Sequence, residues 1–164
     1  MSATPETPAP AFKPKKSVAL SGTAAGNTAL CTVGRSGNDL HYRGYDILDV
    51  ATACEFEEIA HLLVHGKLPN QAELTAYKTK LKALRGLPSG LKKALEQLPP
   101  SAHPMDVMRT GCSFLGNLEP EMDFSEQMAA SNRLLAAFPA IMVYWYRYTH
   151  EGVEIDCNTD EDSI

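Results

Sequence analysis

The change of hydrophobic period between residues 37 and 69 constrains the fold of this chain more than any other feature. The turn-forming run GNDLHYRGYDI (residues 37–47) carries short strand-like stretches, and it is followed by FEEIAHLLVHGKLP (residues 56–69), in which apolar residues recur at helical spacing. Gly66 and Pro69 end that pattern, because glycine terminates helices and proline cannot continue them. The two runs predict a hairpin, covering about residues 28–42, that leads into amphipathic helices.

The next part of the chain continues the helical pattern in short segments. Ile47, Val50 and Ala51 are spaced for one short helix before the helix that Gly66 ends. Asn70 and Glu73 have the spacing of a capping box and predict the start of a longer helix that reaches Gly86. Residues 89–98 predict another short helix, which two prolines end.

The C-terminal third predicts two long helices. Proline is tolerated in the first turn of a helix, so Pro104 marks a start, and the predicted buried face is Met105, Met108, Cys112 and Leu115. The last helix is predicted over about residues 125–150, with a kink at Pro139. The aromatic side chains of its YWYRY cluster point in several directions around a helix. They therefore indicate core packing with one solvent-exposed tyrosine, and not a flat ligand-binding surface.

These elements predict one all-α domain with a small N-terminal β-hairpin. Residues 1–14 are rich in proline, alanine and threonine and are predicted to be a flexible tail, so the domain would occupy residues 15–164. A chain of 164 residues with 44% hydrophobic content is long enough to bury a core.

The charge and hydropathy of the chain argue against two classes of partner. The net charge is −5 and the lysines are scattered among acidic residues, which gives no basic footprint for nucleic acid. The longest apolar run, residues 134–146, is shorter than the ~20 residues that a membrane-spanning helix needs, so it predicts a buried helix.

The cysteines and histidines do not form a recognisable metal or redox motif. The four cysteines are far apart without a CxxC pair, which favours free buried thiols in a reducing cytosol. His61 and His65 are four residues apart and would share a helix face, but HLLVH lacks the glutamate of the HExxH motif and a third ligand. The sequence therefore predicts no metal site.

Several segments resemble the citrate synthase family, and within it the 2-methylcitrate synthases. The resemblance rests on the corner and helix of residues 37–69 together with KPKKSVALSG (13–22), GNTALCTVG (26–34), YKTKLKALRGLP (77–88) and HPMDVMRTG (103–111). It runs from about residue 13 to residue 164. This is nearly all of the chain but well under half of the family's usual length.

The resemblance implies the N-terminal part of a citrate-synthase-like large helical domain, truncated before the catalytic segments. In the family two histidines and an aspartate carry the reaction later in the sequence, so no catalytic residue is expected before Ile164. The activity implied is condensation of propionyl-CoA with oxaloacetate and water to 2-methylcitrate and coenzyme A, in propionate catabolism, with some citrate synthase activity on acetyl-CoA. The alternative is a non-catalytic helical binding module from a truncated or degenerate gene.

The resemblance also implies the setting in which such an enzyme works. We expect a cytoplasmic homodimer or higher homo-oligomer for the full-length enzyme, with no cofactor, because the coenzyme A thioester is itself a substrate. This fragment alone is expected to be inactive.

Two basic residues are candidates for substrate binding. From the family, Lys80 is expected to approach a substrate carboxylate, but we favour a solvated helix face as the account of its position, because charge runs at this spacing generally are solvated. Arg43 could act as a fork for a dicarboxylate, or it could bond main-chain carbonyls or Asp46 and so secure the hairpin-to-helix corner. We favour the structural role for Arg43, because nothing near it in sequence completes an anion site.

Overall fold

The computed structural model describes residues 26–34 and 40–158. Residues 1–25, 35–39 and 159–164, which include the predicted tail and part of the predicted hairpin, lie outside the described residues. Six helices follow a small sheet in the described part: α1 Ile47–Ala53, α2 Phe56–His65, α3 Gln71–Ala83, α4 Ser89–Glu96, α5 Pro104–Leu118 and α6 Gln127–Glu151. The predicted all-α class is confirmed.

The N-terminal sheet confirms the predicted hairpin and adds a third strand. Strands β1 (Cys31–Val33), β2 (Leu40–Tyr42) and β3 (Tyr45–Asp46) pair antiparallel in that order. Arg43 and Gly44 connect β2 to β3, and both have positive φ, 50° and 92°. Positive φ at both central residues is typical of a two-residue hairpin turn; Gly44 adopts it without steric cost, whereas Arg43 is a non-glycine residue in the left-handed region.

The predicted helix ends are confirmed by local hydrogen bonds. The side chain of Asn70 accepts from the backbone N–H of Glu73 at 3.0 Å, and the Glu73 carboxylate accepts from the N–H of Asn70 at 2.9 Å, which completes the capping box at the start of α3. Gly66 ends α2 with a left-handed φ of 86°. His103 caps α5 by accepting from the N–H of Met105 at 3.2 Å.

The core lies where α6 crosses the other long helices. One cluster joins α4, α5 and α6 through Leu91, Leu95, Val107, Leu115, Ile141, Tyr144 and Trp145, and a smaller one joins α2, α3 and α6 through Ala60, Tyr77, Leu81 and Ala136. The predicted YWYRY arrangement is confirmed, since Tyr144 and Trp145 are buried and Tyr146 is 49% exposed. No helix in the described part of the chain is long and apolar enough to span a membrane.

Two details of the helices differ from the predictions. The predicted face of α5 is buried at Leu115 and half-buried at Met108 and Cys112, but Met105 is 66% exposed, and the most buried positions also include Val107 and Gly111. The last helix begins at Gln127 after a short 3₁₀ turn over Phe124–Glu126, two residues later than predicted. Pro139 lies inside α6, and its kink stays a prediction.

Candidate functional site

Arg43 occupies the corner between the sheet and the helices. Its Nη2 donates to the carbonyl oxygen of Leu63 in α2 at 2.9 Å, and its backbone N–H donates to the carbonyl of Leu30 at 2.9 Å. Asp46 instead caps α1 by accepting from the N–H of Leu48. A charge-assisted bond to a main-chain carbonyl is the geometry of the structural role. The alternative role of Arg43 in substrate binding stays a prediction.

His61 and His65 meet Tyr77 at the contact between α2 and α3. The two imidazole ring centroids are 4.4 Å apart, and the Tyr77 ring stands edge-on to both, at 5.2 Å from His61 and 5.4 Å from His65. The Nδ1 of His61 lies 2.9 Å from the carbonyl oxygen of Lys67, so this nitrogen carries the proton and donates. His61 is buried and His65 is exposed at the edge of the same ring cluster.

A buried hydrogen-bond relay anchors this cluster to α6. The Tyr77 hydroxyl donates to Oδ1 of Asn132 at 2.8 Å, and the Asn132 amide donates to the carbonyl of Met128 at 2.8 Å. Asn132 is 0% exposed, and a buried amide is tolerated only when it is hydrogen-bonded in this way. Burial, with the nearby Glu57 carboxylate, raises the pKa of Tyr77, which keeps the hydroxyl protonated as a donor.

Lys80 lies on the exposed side of α3, one turn after Tyr77. Burial, the His61 imidazole and the Lys80 ammonium, in that order, lower the pKa of His65. The Lys80 ammonium is thus part of the electrostatic surroundings of His65, and no described contact joins Lys80 to Arg43.

Arg133 of α6 connects the C-terminal ends of α3 and α5, an arrangement that we call the Arg133 clamp. Its Nε and Nη2 donate to the two carboxylate oxygens of Glu119, at 2.8 and 2.9 Å. Nη2 also donates to the carbonyl oxygen of Gly86 at 3.0 Å, and Nη1 donates to the carbonyl oxygen of Leu84. One guanidinium thus holds the C-terminal end of α3, the end of α5 and α6 together. The bond to Arg133 lowers the pKa of the Glu119 carboxyl.

A cavity of about 580 Å³ opens beside this clamp. Its walls are mainly apolar, with Leu84, Cys112, Leu115, Ala130 and Leu134 among its lining residues, and Glu119, Glu121, Glu126 and Arg133 supply the charged groups. Among residues 26–34 and 40–158, no histidine lines this cavity.

The described residues contain no group of three or more histidine, cysteine, aspartate or glutamate side chains that could hold a metal ion. All four cysteines are free; Cys157 is buried, and the other three are half-buried, which corrects the prediction that all are buried. Burial is the main cause that raises the pKa of the Cys157 thiol, and a protonated thiol is a poor nucleophile.

Sequence reasoning named Arg43 and Lys80 as candidates, and these stay predictions; it did not find the side-chain clusters around Tyr77 and Arg133. The four-residue spacing of His61 and His65 was visible, whereas their meeting with Tyr77 depends on how α2 packs on α3. No local signal pointed to Arg133, because its partners lie 14 to 49 residues away.

Comparisons with known proteins agree on one family. The profile described as "Citrate synthase, C-terminal domain" matches residues 19–164. The 2-methylcitrate synthase of Shewanella oneidensis is 61% identical over 145 residues, which is 88% of this chain and 39% of that relative. The 2-methylcitrate synthase of Mycobacterium tuberculosis is 39% identical over 124 residues, covering 75% of this chain and 32% of the relative.

A solved structure shows the same fold. The citrate synthase of Thermoplasma acidophilum, in a ternary complex with carboxymethyl coenzyme A and oxaloacetate, superposes with a TM-score of 0.78 at 23% identity, over 88% of this chain and 39% of that one. The chain thus spans well under half the length of the relatives that it matches.

Proposed function

Because this chain belongs to the citrate synthase family, we propose that it is the N-terminal part of a 2-methylcitrate synthase. The observation that carries the proposal is the 61% identity to the Shewanella 2-methylcitrate synthase over 88% of the chain. The whole enzyme would condense propionyl-CoA with oxaloacetate and release 2-methylcitrate and coenzyme A, as part of propionate catabolism.

In the proposed reaction an aspartate removes a proton from the α-carbon of the acyl thioester, and a histidine stabilises the enol. The enol carbon attacks the keto carbon of oxaloacetate, and water then cleaves the thioester. These acid and base groups lie beyond Ile164 in the proposed full-length enzyme. Within the described residues, Lys80 is proposed to contact a substrate carboxylate.

The choice between propionyl-CoA and acetyl-CoA depends on one methylene group. A hydrophobic pocket discriminates such a difference by only about 1–3 kcal/mol, so we propose that the enzyme also makes some citrate from acetyl-CoA. We further propose that it works as a cytoplasmic homodimer or higher homo-oligomer, without a metal or other cofactor, since the thioester supplies the activated carbon.

The proposal is tested by a chimera. The chain is fused to the part of the Shewanella relative that lies beyond the matched region, and thiol release is measured with oxaloacetate and either propionyl-CoA or acetyl-CoA. We expect turnover close to that of the intact Shewanella enzyme, and higher kcat/KM with propionyl-CoA. The chain alone should release no thiol, because the groups that transfer protons are absent.

The alternative, a non-catalytic helical module, predicts the opposite result. In that case the chimera would fold, as judged by circular dichroism, but would not turn over either thioester. A folded and inactive chimera would therefore overturn the proposed function in favour of the module.

A further inference from the structure

We infer that residues 152–158 form a strap that docks on the connection between α3 and α4, with Gly86 as the positioning residue for its end. The inference deepens the proposed function and rests on it, because the strap is the last described segment before the proposed catalytic part. The direction in which the strap leaves the helices sets where that part begins. From the sequence, Gly86 was expected only to end a helix.

The strap starts at the turn that ends α6. Gly152 has a left-handed φ of 68°, and its N–H donates to the carbonyl oxygen of Tyr148 at 3.0 Å. The N–H of Val153 donates to the carbonyl oxygen of Arg147 at 3.2 Å. Such a pair of bonds is typical of a helix that ends at glycine, and it directs the following residues away from the helix.

Alternate side chains of the strap pack into the main core. Cys157 is 6% exposed and belongs to the core cluster that contains Leu87 and Leu91, and Ile155 packs against the same cluster. The residues between and beside these two are exposed. Successive side chains of an extended segment point to opposite sides, so this alternation is that of an extended strap lying on the helices.

Gly86 gives the end of the strap its space. A Cβ atom at residue 86 would stand 2.7 Å from Oδ1 of Asn158, which is closer than carbon and oxygen atoms in contact approach. Gly86 lacks the positive φ found at other glycines of the chain, so its backbone conformation does not itself require glycine. A larger side chain at residue 86 would therefore disturb the strap and not the local backbone.

Both sides of this contact are held in place. The Asp156 carboxylate accepts from the backbone N–H of Asn158 at 2.9 Å and from its side-chain amide at 3.2 Å, which orients that amide. On the other side, the Arg133 clamp donates to the carbonyl oxygen of Gly86 at 3.0 Å and to that of Leu84. Because both partners are ordered before they meet, the docked strap is favoured.

The buried thiol of Cys157 reports whether the strap is docked. Iodoacetamide reaches this sulfur when the strap opens, so the labelling rate follows the population of open strap. The labelling of each cysteine in the whole chain is followed by mass spectrometry of peptides at constant pH. Gly86→Ala should raise the rate at Cys157 about fivefold, which corresponds to an opening that is easier by about 1 kcal/mol. Cys31 in β1 and Cys54 after α1 are internal references, whose rates should not change.

Two further variants separate the docking contact from a general loosening of the fold. Gly90→Ala is the matched control, because a Cβ at residue 90 meets Phe114 at an ordinary 3.7 Å, and it should label like the parent. Asn158→Ala removes the amide and should raise the rate at Cys157 as Gly86→Ala does. If the two residues form one contact, the double variant labels no faster than the faster single variant. Unchanged labelling of Gly86→Ala, an equal rise in Gly90→Ala, or effects that multiply in the double variant would overturn the docking contact.

The positioning role is tested in the chimera. Gly86→Ala should lower kcat about fivefold without a change in melting temperature, because small displacements of catalytic groups slow the chemical step. Gly90→Ala should keep the parent kcat. An unchanged kcat in Gly86→Ala, despite faster labelling of Cys157, would overturn the positioning role. A parent chimera without turnover would overturn the proposed function, while the labelling rates would still decide whether the strap docks, so the two failures are distinguishable.

Discussion

Gly111 of α5 lies against Ile141 of α6 without room for a side chain between the two helices. A Cβ atom at position 111 would stand 2.7 Å from Cγ2 of Ile141, which is closer than carbon atoms in contact approach. Ile141 is fully buried in the main core cluster, so it cannot move aside into solvent. The missing side chain at residue 111 therefore sets how closely the two longest helices of the described part approach.

The first prediction tests this contact. Gly111→Ala should lower the free energy of unfolding by about 1–3 kcal/mol, because overpacking a close helix contact forces strain on the core. The control is Gly116→Ala in the same helix, where a Cβ would meet nothing within 4 Å. Since alanine is the better helix former, the control should gain about 0.4–1 kcal/mol. Urea unfolding of both variants measures the difference, and equal effects would contradict the packing argument.

The second prediction concerns the Arg133 clamp. Arg133→Gln removes charge-assisted hydrogen bonds and should cost about 1.5–3 kcal/mol of stability near neutral pH. Arg133 lowers the pKa of Glu119 below 4.5, so the stabilisation is present above about pH 4.5 and is lost as the pH falls below that value. The difference between parent and variant should shrink in acid as Glu119 is protonated, and the part due to the Leu84 and Gly86 carbonyls should remain.

Arg147→Gln is the matched control for the clamp. Arg147 pairs with Glu151 at 2.6 Å on the surface of α6, with both side chains about two-fifths exposed. Exposed pairs of this kind contribute about 0–1 kcal/mol. If Arg147→Gln lowers the free energy of unfolding as much as Arg133→Gln does, the Arg133 clamp stabilises the fold no more than an exposed ion pair.

The third prediction is a pH dependence from His65. Its pKa is lowered in the folded chain, so the unfolded chain binds the proton more readily. Stability is therefore complete above about pH 6.5 and declines as the pH falls from 6.5 towards the folded pKa. His65→Gln should flatten this slope between pH 7 and pH 5, and Lys80→Ala should reduce it partly. Chemical unfolding at several pH values tests the slope, with Lys93→Ala expected to follow the parent.

The fourth prediction separates the two roles of Arg43 and is made in the chimera. Arg43→Ala removes the bond to the Leu63 carbonyl and should lower stability by about 1.5–3 kcal/mol. The Michaelis constant for oxaloacetate should stay near the parent value. A strong rise in that constant without a change in melting temperature would show that Arg43 binds substrate instead.

A fifth prediction concerns self-association of the isolated chain. The helix α6 leaves Val143 and Tyr146 about half exposed, and Met122 and Phe124 are more exposed still. Such apolar side chains favour association when other chain segments do not cover them. Light scattering should show concentration-dependent oligomers, and a monodisperse monomer at all concentrations would contradict the prediction.

Local signals in the sequence were sufficient for the elements and their ends. Helix ends depend on interactions within a few residues, so neighbouring residues in the sequence predict them. The examples are the capping box of Asn70 and Glu73, the left-handed Gly66 and the proline at the start of α5. The hairpin followed from turn residues between β-branched runs. The family was predicted from the same local segments, because a sequence resemblance is a match between short runs of residues.

The tertiary structure alone decided which side of α5 is buried and which charged groups meet. Spacing placed Met105, Met108 and Leu115 on one stripe, and in the structure the buried face also includes Val107 and Gly111, where α6 approaches closely through Ile141, while Met105 is exposed. In the same way, helix packing brings Arg133 to the carbonyl oxygens of Leu84 and Gly86 and brings the His65 ring into contact with the Tyr77 ring. Helical periodicity determines which residues share a face, but the partner helix determines which face is buried, since burial depends on atoms far away in the sequence.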